Sequence, residues 1–322
     1  MKPCFDRIAV LGLGLLGGSV ALASKQRGLA KCVAGGVRRP AALEAAVARG
    51  IVDEGGSFED AVRGANLVVL ATPVFAMVDL VRTIAPHLQE GALVTDVGSV
   101  KAGVAEALPG LLPRGVHYVG AHPMAGSHLS GLDHARGDLF DGAPCVVIEG
   151  APEAARDRVS VFWTDLGARV LPRDAATHDG EVAWMSHIPH ILAFAFAGAL
   201  KAAPPGADEV AGSGFHDFTR IAHSHPELWG DILTSNRKAI AAPLQSVAES
   251  LAELGRAIET GDAEIVERWL AQARAALSLA SSPPAGNDIT RRVRTAHSRG
   301  LNASPGSAIS AAEVGDPIDP NE

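Results

Sequence analysis

The stretch VGAHPMAGSHLSG, residues 119–131, places a histidine, a proline and a glycine where the short apolar run 116–119 gives way to a loop. Open α/β sheets carry their chemistry at such strand ends. His122 is therefore the first candidate acid or base, and a histidine neutral near pH 7 can take a proton from a hydroxyl. Alone, it reads equally as a satisfied loop histidine. A second group lies in HDGEVAWMSHIPH, where His187 and His190 stand at i and i+3 on one helix face, and Pro189 between them removes a backbone hydrogen bond. No carboxylate or cysteine at ligand spacing completes a metal pair, so no metal is expected. His190 is the better placed for substrate, and His187 is also readable as a core histidine. In GSGFHDFTRIA, Asp217 and Arg220 share the same spacing. An Arg oriented by an Asp can grip a carboxylate with both prongs of its fork, whereas a solvated pair would contribute little. The neighbours Phe215, Phe218 and Ile221 argue against full solvation. Ser99, in DVGSVK, can cap the following helix and, through another lone pair, bond the histidine.

Such residues need a cofactor and a scaffold. Residues 7–11 form a short apolar strand, and GLGLLG then supplies Gly12, Gly14 and Gly17 with Leu15 ahead of an amphipathic helix. In this pattern the first glycine makes the tight turn, the second lets backbone approach pyrophosphate, and the third lets helix and strand pack closely. The helix N-terminus faces the phosphates. The second strand, about 32–37, ends in GGVRRP, where an NAD-binding domain usually places an acid for the ribose hydroxyls. Val37 has no carboxylate, and Arg38 and Arg39 can clamp a 2′-phosphate. NADP is favoured, NAD stays possible, and the arginines read otherwise as solvated loop residues. ATP at residues 71–73 brings Thr72 and Pro73 under the cofactor, and DVGSVK brings Gly98 and Ser99 to the nicotinamide side.

Helical patterns separate further strands at 67–71, 92–95, 144–148 and 169–171, which reads as right-handed crossovers in one mostly parallel sheet. From residue 175 the pattern is purely helical. The fold expected is an α/β Rossmann-type doubly wound sheet followed by an all-α domain for substrate and dimerisation. The divisions are a dinucleotide-binding domain over 1–172, a helical domain over 173–282, and a disordered tail over 283–322, where Pro, Gly, Ser and charge prevail. Helices so apolar need more than one sheet edge to cover them, which predicts a homodimer.

The chain has 322 residues, enough for two cores, and a net charge of −8, which argues against nucleic acid or an acidic membrane surface. An anionic substrate then needs locally placed cations. The three cysteines, Cys4, Cys32 and Cys145, are far apart and fit a reducing cytoplasm without disulfides. The opening apolar stretch has a better use as strand, turn and helix than as a signal peptide, and later apolar runs are expected to fall short of a membrane span.

The ordered set GLGLLGGS, DVGSVK, GAHPMAGS with DLFDGAP, HDGEVAWMSHIPH, and SGFHDFTRIA with PELWGDILTSNR resembles the prephenate and arogenate dehydrogenase family of tyrosine biosynthesis, over roughly residues 7–279. The resemblance implies oxidative decarboxylation of prephenate or arogenate with hydride transfer to NAD(P), in a cleft between the two domains. It implies that His122 bonds the ring hydroxyl, that Ser99 stands near it and the nicotinamide, that His190 and Arg220 hold substrate, and that His187 and Asp217 support them. Nothing ahead of Arg7 resembles a chorismate mutase, and the tail is short and polar for a regulatory domain, so feedback control by tyrosine is not implied. A β-hydroxyacid dehydrogenase would rely instead on a lysine in the helical domain, for which Lys238 is the candidate. A dinucleotide-sensing regulator would leave the His122, His190 and Arg220 set without a use.

Overall fold

The computed structural model describes residues 4–126 and 129–280. Short runs of Val, Leu, Ile and Ala form strands buried on both faces, as parallel sheets require. They are β1 (Phe5–Leu11), β2 (Ala30–Gly36), β3 (Glu54–Gly56), β4 (Leu67–Leu70), β5 (Leu93–Asp96) and β6 (His117–Tyr118), a six-stranded parallel sheet in the order β3-β2-β1-β4-β5-β6. The crossovers carry α1 (Leu15–Gln26), α2 (Pro40–Ala48), α3 (Phe58–Val62), α4 (Val74–Ile84) and α5 (Ala102–Ala107). Alternation along β1 sends Ile8 and Val10 into one buried cluster and Ala9 and Leu11 into the other. The strand order reverses between β1 and β4, so the crevice beyond their carboxyl ends is the place for a ligand.

One sheet was expected and two are found. β7 (Ala121–Pro123), β8 (Pro144–Ile148) and β9 (Arg169–Arg173) make a separate three-stranded sheet, with β7 antiparallel and β9 parallel to β8. The reason lies at Gly120, where the chain leaves β5 and its carbonyl accepts instead from Ile148 N at 2.8 Å. A Cβ at Gly120 would meet the Tyr118 hydroxyl at 2.8 Å, so the turn needs glycine. His122 consequently sits within a strand, opposite Val146, rather than in a loop. The strand Glu54–Gly56 escaped sequence reading because EGG has no apolar alternation. Helix α6 (Glu153–Asp165) then buries Phe162 and Trp163 against Phe140.

The helical half begins with α7 (Ala175–Val182), continues through one π-helical turn, Ala183–His187, into α8 (Ile188–Ala199), and goes on to α9 (Ser213–Thr219), α10 (Pro226–Ser235), α11 (Arg237–Thr260) and α12 (Ala263–Ala280). The wider turn just before Pro189 accommodates the residue that cannot donate to the helix ladder. By length and composition the run Ala175–Ala202 could cross a membrane, contrary to the sequence expectation. That run also holds His178, Asp179 and His187, all buried and hydrogen-bonded.

By internal contacts the chain divides into Met1–Ser250 and Leu251–Glu322. Both sheets, α1 to α10 and the site described below belong to the first unit. In the second, the chain turns at Gly261, φ 71°, and the Asp262 carboxylate accepts from Ile265 N at 3.0 Å to start α12. The expected disordered tail, 283–322, lies outside the described residues, as do Ser127 and His128 of the histidine motif.

Candidate active site

At the end of β1 the three motif glycines have three different surroundings. Gly12 has φ 98°, and a Cβ there would meet the Ala71 carbonyl oxygen at 2.6 Å. A Cβ at Gly17 would overlap the Gly12 carbonyl oxygen and meet Ala71 Cβ at 2.8 Å, so α1 can pack on the strand ends only with glycine here. Gly14, at the N-terminus of α1, faces open space. Thr72 Oγ1 beside this loop is buried with no partner among the described residues. Open backbone N–H groups at a helix start next to an unpaired hydroxyl fit a bound pyrophosphate. Arg38 and Arg39 are exposed just past β2, and among the described residues neither is in an ion pair.

The end of β5 carries a buried charged cluster. Asp96 and Lys101 are both fully buried and ion-paired. The Asp96 carboxylate also accepts from Gly98 N at 2.9 Å, Tyr118 Oη at 2.9 Å and Ala121 N at 3.0 Å. Burial, then the Asp96 charge, pushes the Tyr118 phenol well above its usual range, so it stays a donor. One carboxylate thus ties the DVGSVK loop to the residue preceding His122.

His122 is 8% exposed. Its Nδ1 lies 2.9 Å from Nε2 of His178, and Nδ1 of His178 lies 2.8 Å from the Asp179 carboxylate. That carboxylate accepts from Lys101 N and Ala102 N, each at 2.8 Å, and so caps the start of α5. Among the described residues Nε2 of His122 has no hydrogen-bond partner. Burial, and then the nearby His178, Lys101 and His187, hold the His122 pKa well below the usual histidine value, leaving the ring neutral.

Asn236 joins this cluster to the helical half, donating to the Asp179 carbonyl at 2.9 Å and standing 3.1 Å from His187 Nδ1. Burial lowers the His187 pKa to about 4. Both motif histidines meet the same indole: His187 edge-on to Trp229 at 6.0 Å and His190 stacked on it at 3.7 Å. His190 Nδ1 donates to the Ser186 carbonyl at 2.8 Å, which leaves Nε2 as an acceptor. Burial and the Arg220 charge lower its pKa.

A family model described as "Prephenate dehydrogenase, nucleotide-binding domain" matches residues 20–172, and one described as "Prephenate dehydrogenase, dimerization domain" matches residues 174–272. The chain belongs to the prephenate dehydrogenase family. The cyclohexadienyl dehydrogenase of Zymomonas mobilis is 33% identical over 291 residues, covering 85% of this chain and 96% of that protein. The prephenate dehydrogenase of A. aeolicus, solved with hydroxyphenyl propionate and NAD+, superposes with a TM-score of 0.78 at 28% identity, over 87% of this chain and 99% of that one. Synechocystis arogenate dehydrogenase gives a TM-score of 0.71 at 31% identity, over 84% and 99%. The resemblance carried by the motifs is borne out, and with it a Rossmann-like sheet followed by helices in an oxidoreductase with a nucleotide-binding domain.

Within this family member the motif residues fall out as follows. His122 sits beside the DVGSVK loop, and the bond it makes through Nδ1 goes to His178 rather than to Ser99. Ser99 does not cap α5, which starts after Lys101 and is capped by Asp179 from another part of the chain. The Asp217–Arg220 pair is not formed among the described residues: α9 ends at Thr219, Arg220 opens a 3₁₀ turn, and both side chains are exposed. Lys238 is exposed on α11, whereas the neighbouring Asn236 is buried at the cluster. Sequence reading missed His178, Asp179, Asn236, Asp96 and Lys101. A histidine and an aspartate side by side ahead of the SHIPH motif were a visible signal, but only the fold brings them to His122.

Proposed function

We propose that this chain oxidatively decarboxylates prephenate, arogenate or both, with hydride transfer to a nicotinamide dinucleotide. The observation that supports this most is a neutral, nearly buried histidine in β7, with Nε2 unpartnered among the described residues, one residue on from Ala121, which Asp96 at the end of β5 holds. Gly12, Gly14, Leu15, Gly17, Thr72, Pro73 and Ser99 would hold the dinucleotide, which when bound accepts the hydride from the ring carbon bearing the hydroxyl.

His122 draws the hydroxyl proton as that carbon becomes a ketone. The ring carboxylate then leaves as CO2, its bonding electron pair restores aromaticity, and the proton returns from His122 to the phenolate oxygen. Aromatisation drives the reaction, so the protein's task is to position the ring and handle one proton. Arg220, exposed and unpaired among the described residues, suits a substrate carboxylate. His190, held flat on Trp229 with Nε2 as an acceptor, suits a donor on the ligand.

The free arginines after β2 and the lack of an acid at Val37 favour NADP over NAD. We read residues 1–172 as the dinucleotide domain and 173–282 as the helical domain, and we take the active form to be a homodimer through the helices. Exposed Phe196, Leu200 and Phe218 support such pairing. Three free thiols suit a cytoplasmic setting. The test is initial-rate assay of prephenate and arogenate with NAD and NADP, on the native protein and on His122→Asn. The variant should bind dinucleotide normally and lose turnover by roughly a hundredfold or more. No turnover of either acid by the native chain would overturn the reading, and near-normal turnover in the variant would remove His122 from it.

A further inference from the structure

The reading of His122 as a base requires that Nε2 carry the lone pair, and nothing about a histidine alone guarantees that, since either ring nitrogen can hold the proton. The hydrogen bonds behind His122 decide it. Asp179 takes three N–H donors on its carboxylate: Lys101 N, Ala102 N and His178 Nδ1, each at 2.8 Å. A carboxylate so placed is an acceptor, so His178 must carry its proton on Nδ1. In the neutral ring His178 Nε2 is then a bare acceptor, and the 2.9 Å contact to His122 can only be filled by a proton on His122 Nδ1. That leaves His122 Nε2 with the free lone pair.

We infer that His178 and Asp179 are positioning residues of the reaction: they set the tautomer and the ring orientation of His122 through a chain from carboxylate to imidazole to imidazole. The chain is built in. His178 is fully buried and Asp179 is 3% exposed, and the Asp179 main chain is itself held by Asn236. Because Asp179 also caps α5, the element following the DVGSVK loop, it locks the base and that loop in one frame. During turnover the hydroxyl proton adds to His122 Nε2, and the imidazolium positive charge is spread along the hydrogen bond to His178, with Asp179 remaining anionic. No electron moves in this step, and the proton goes back by the same nitrogen. His178, Lys101 and His187 face His122 and oppose its protonation, and the Lys101 charge is itself paired with Asp96.

The inference rests on His122 being the base, and its test separates the two. In the native protein, 15N NMR of labelled histidines, with His122 assigned by its absence from His122→Asn, should show protonated Nδ1 and bare Nε2 on both His122 and His178. Asp179→Asn can no longer accept all three N–H donors: with its oxygen toward Lys101 N and His178 Nδ1, its NH2 faces the Ala102 N–H. His178 and His122 are then held less firmly, and kcat should fall by ~10²-fold or more with substrate KM and dinucleotide Kd nearly unchanged. His178→Gln keeps an acceptor for His122 and a donor for Asp179, and should retain activity within about tenfold; His178→Leu keeps neither and should match Asp179→Asn. If Asp179→Asn does not fold, the native spectrum and the two His178 variants decide. A His122 protonated on Nε2 in the native protein, a doubly protonated His178, or equal activity of the Gln and Leu variants would overturn the inference. Failure of the native chain to turn over prephenate or arogenate would instead sink the proposed function and leave the tautomer result standing.

Discussion

Lys101→Met isolates the buried charge pair under the catalytic strand. Methionine keeps the length and most of the volume of the lysine stem, so the change removes charge without opening a cavity. Both partners are fully buried, which places the pair in the class where loss of one member costs about 3–5 kcal/mol rather than the 0–1 kcal/mol of a surface pair. Asp96 still has Gly98 N, Tyr118 Oη and Ala121 N as donors, so the low end applies, ~3 kcal/mol. Urea unfolding followed by tryptophan fluorescence reports it, since Trp163 is fully buried in the same half of the chain. The midpoint should drop by the equivalent of ~3 kcal/mol at unchanged slope. Asp96→Asn combined with Lys101→Met should recover part of the loss, because no carboxylate is then left unpaired. Activity should fall with the single change, since Ala121, held by Asp96, precedes His122. A loss below ~1 kcal/mol would place the pair in the solvated class and refute the argument.

Four further outcomes follow from the site. His122 sits below the ordinary value of 6.5, so the neutral base persists as pH falls past that point: kcat/KM should stay level through neutral pH and drop only below it, and a half-loss at or above 6.5 would contradict this. For stability the sign is the same, because between 6.5 and about 4 the unfolded chain holds a proton that folded His187 lacks. Urea midpoints should therefore fall as pH drops through that window, and less steeply in His187→Gln. Arg220→Gln should raise the substrate KM by about ten- to a hundredfold with a small change in kcat, the worth of one charge-assisted contact; an unchanged KM would make Arg220 a surface residue. Val37→Asp with Arg38→Ser should invert an NADP preference of roughly ten- to a hundredfold, measured as kcat/KM for both dinucleotides, and better use of NAD by the native chain would refute it.

Local chemistry made part of this protein legible in one dimension. The glycines at 12, 14 and 17 are spaced by the turn itself: each role depends on backbone within a few residues and on one neighbouring strand, so the pattern announces it. The strands β1, β4 and β5 announce themselves by continuous apolar runs, and β3 does not, because its two glycines and a glutamate acquire a pairing partner only from β2. The second sheet was hidden for a related reason: the departure at Gly120 depends on Ile148, far along the chain. His122 and the SHIPH histidines stood out by type and spacing.

Their assignment did not. Which nitrogen of His122 is bonded, and to what, is decided by His178 and Asp179 from α7, and the cap of α5 comes from the same aspartate instead of the adjacent Ser99. The Asp217–Arg220 spacing promised a pair, and although Arg220 keeps helical backbone angles no such pair forms among the described residues, where both side chains are exposed to water. A sequence by itself determines what each residue can donate, accept or bury and which neighbours within a turn it can reach. Hydrogen bonds act over about 3 Å while the residues making them here lie as far as 78 positions apart, so only the tertiary structure decides which donors meet which acceptors, and with that the protonation of the base.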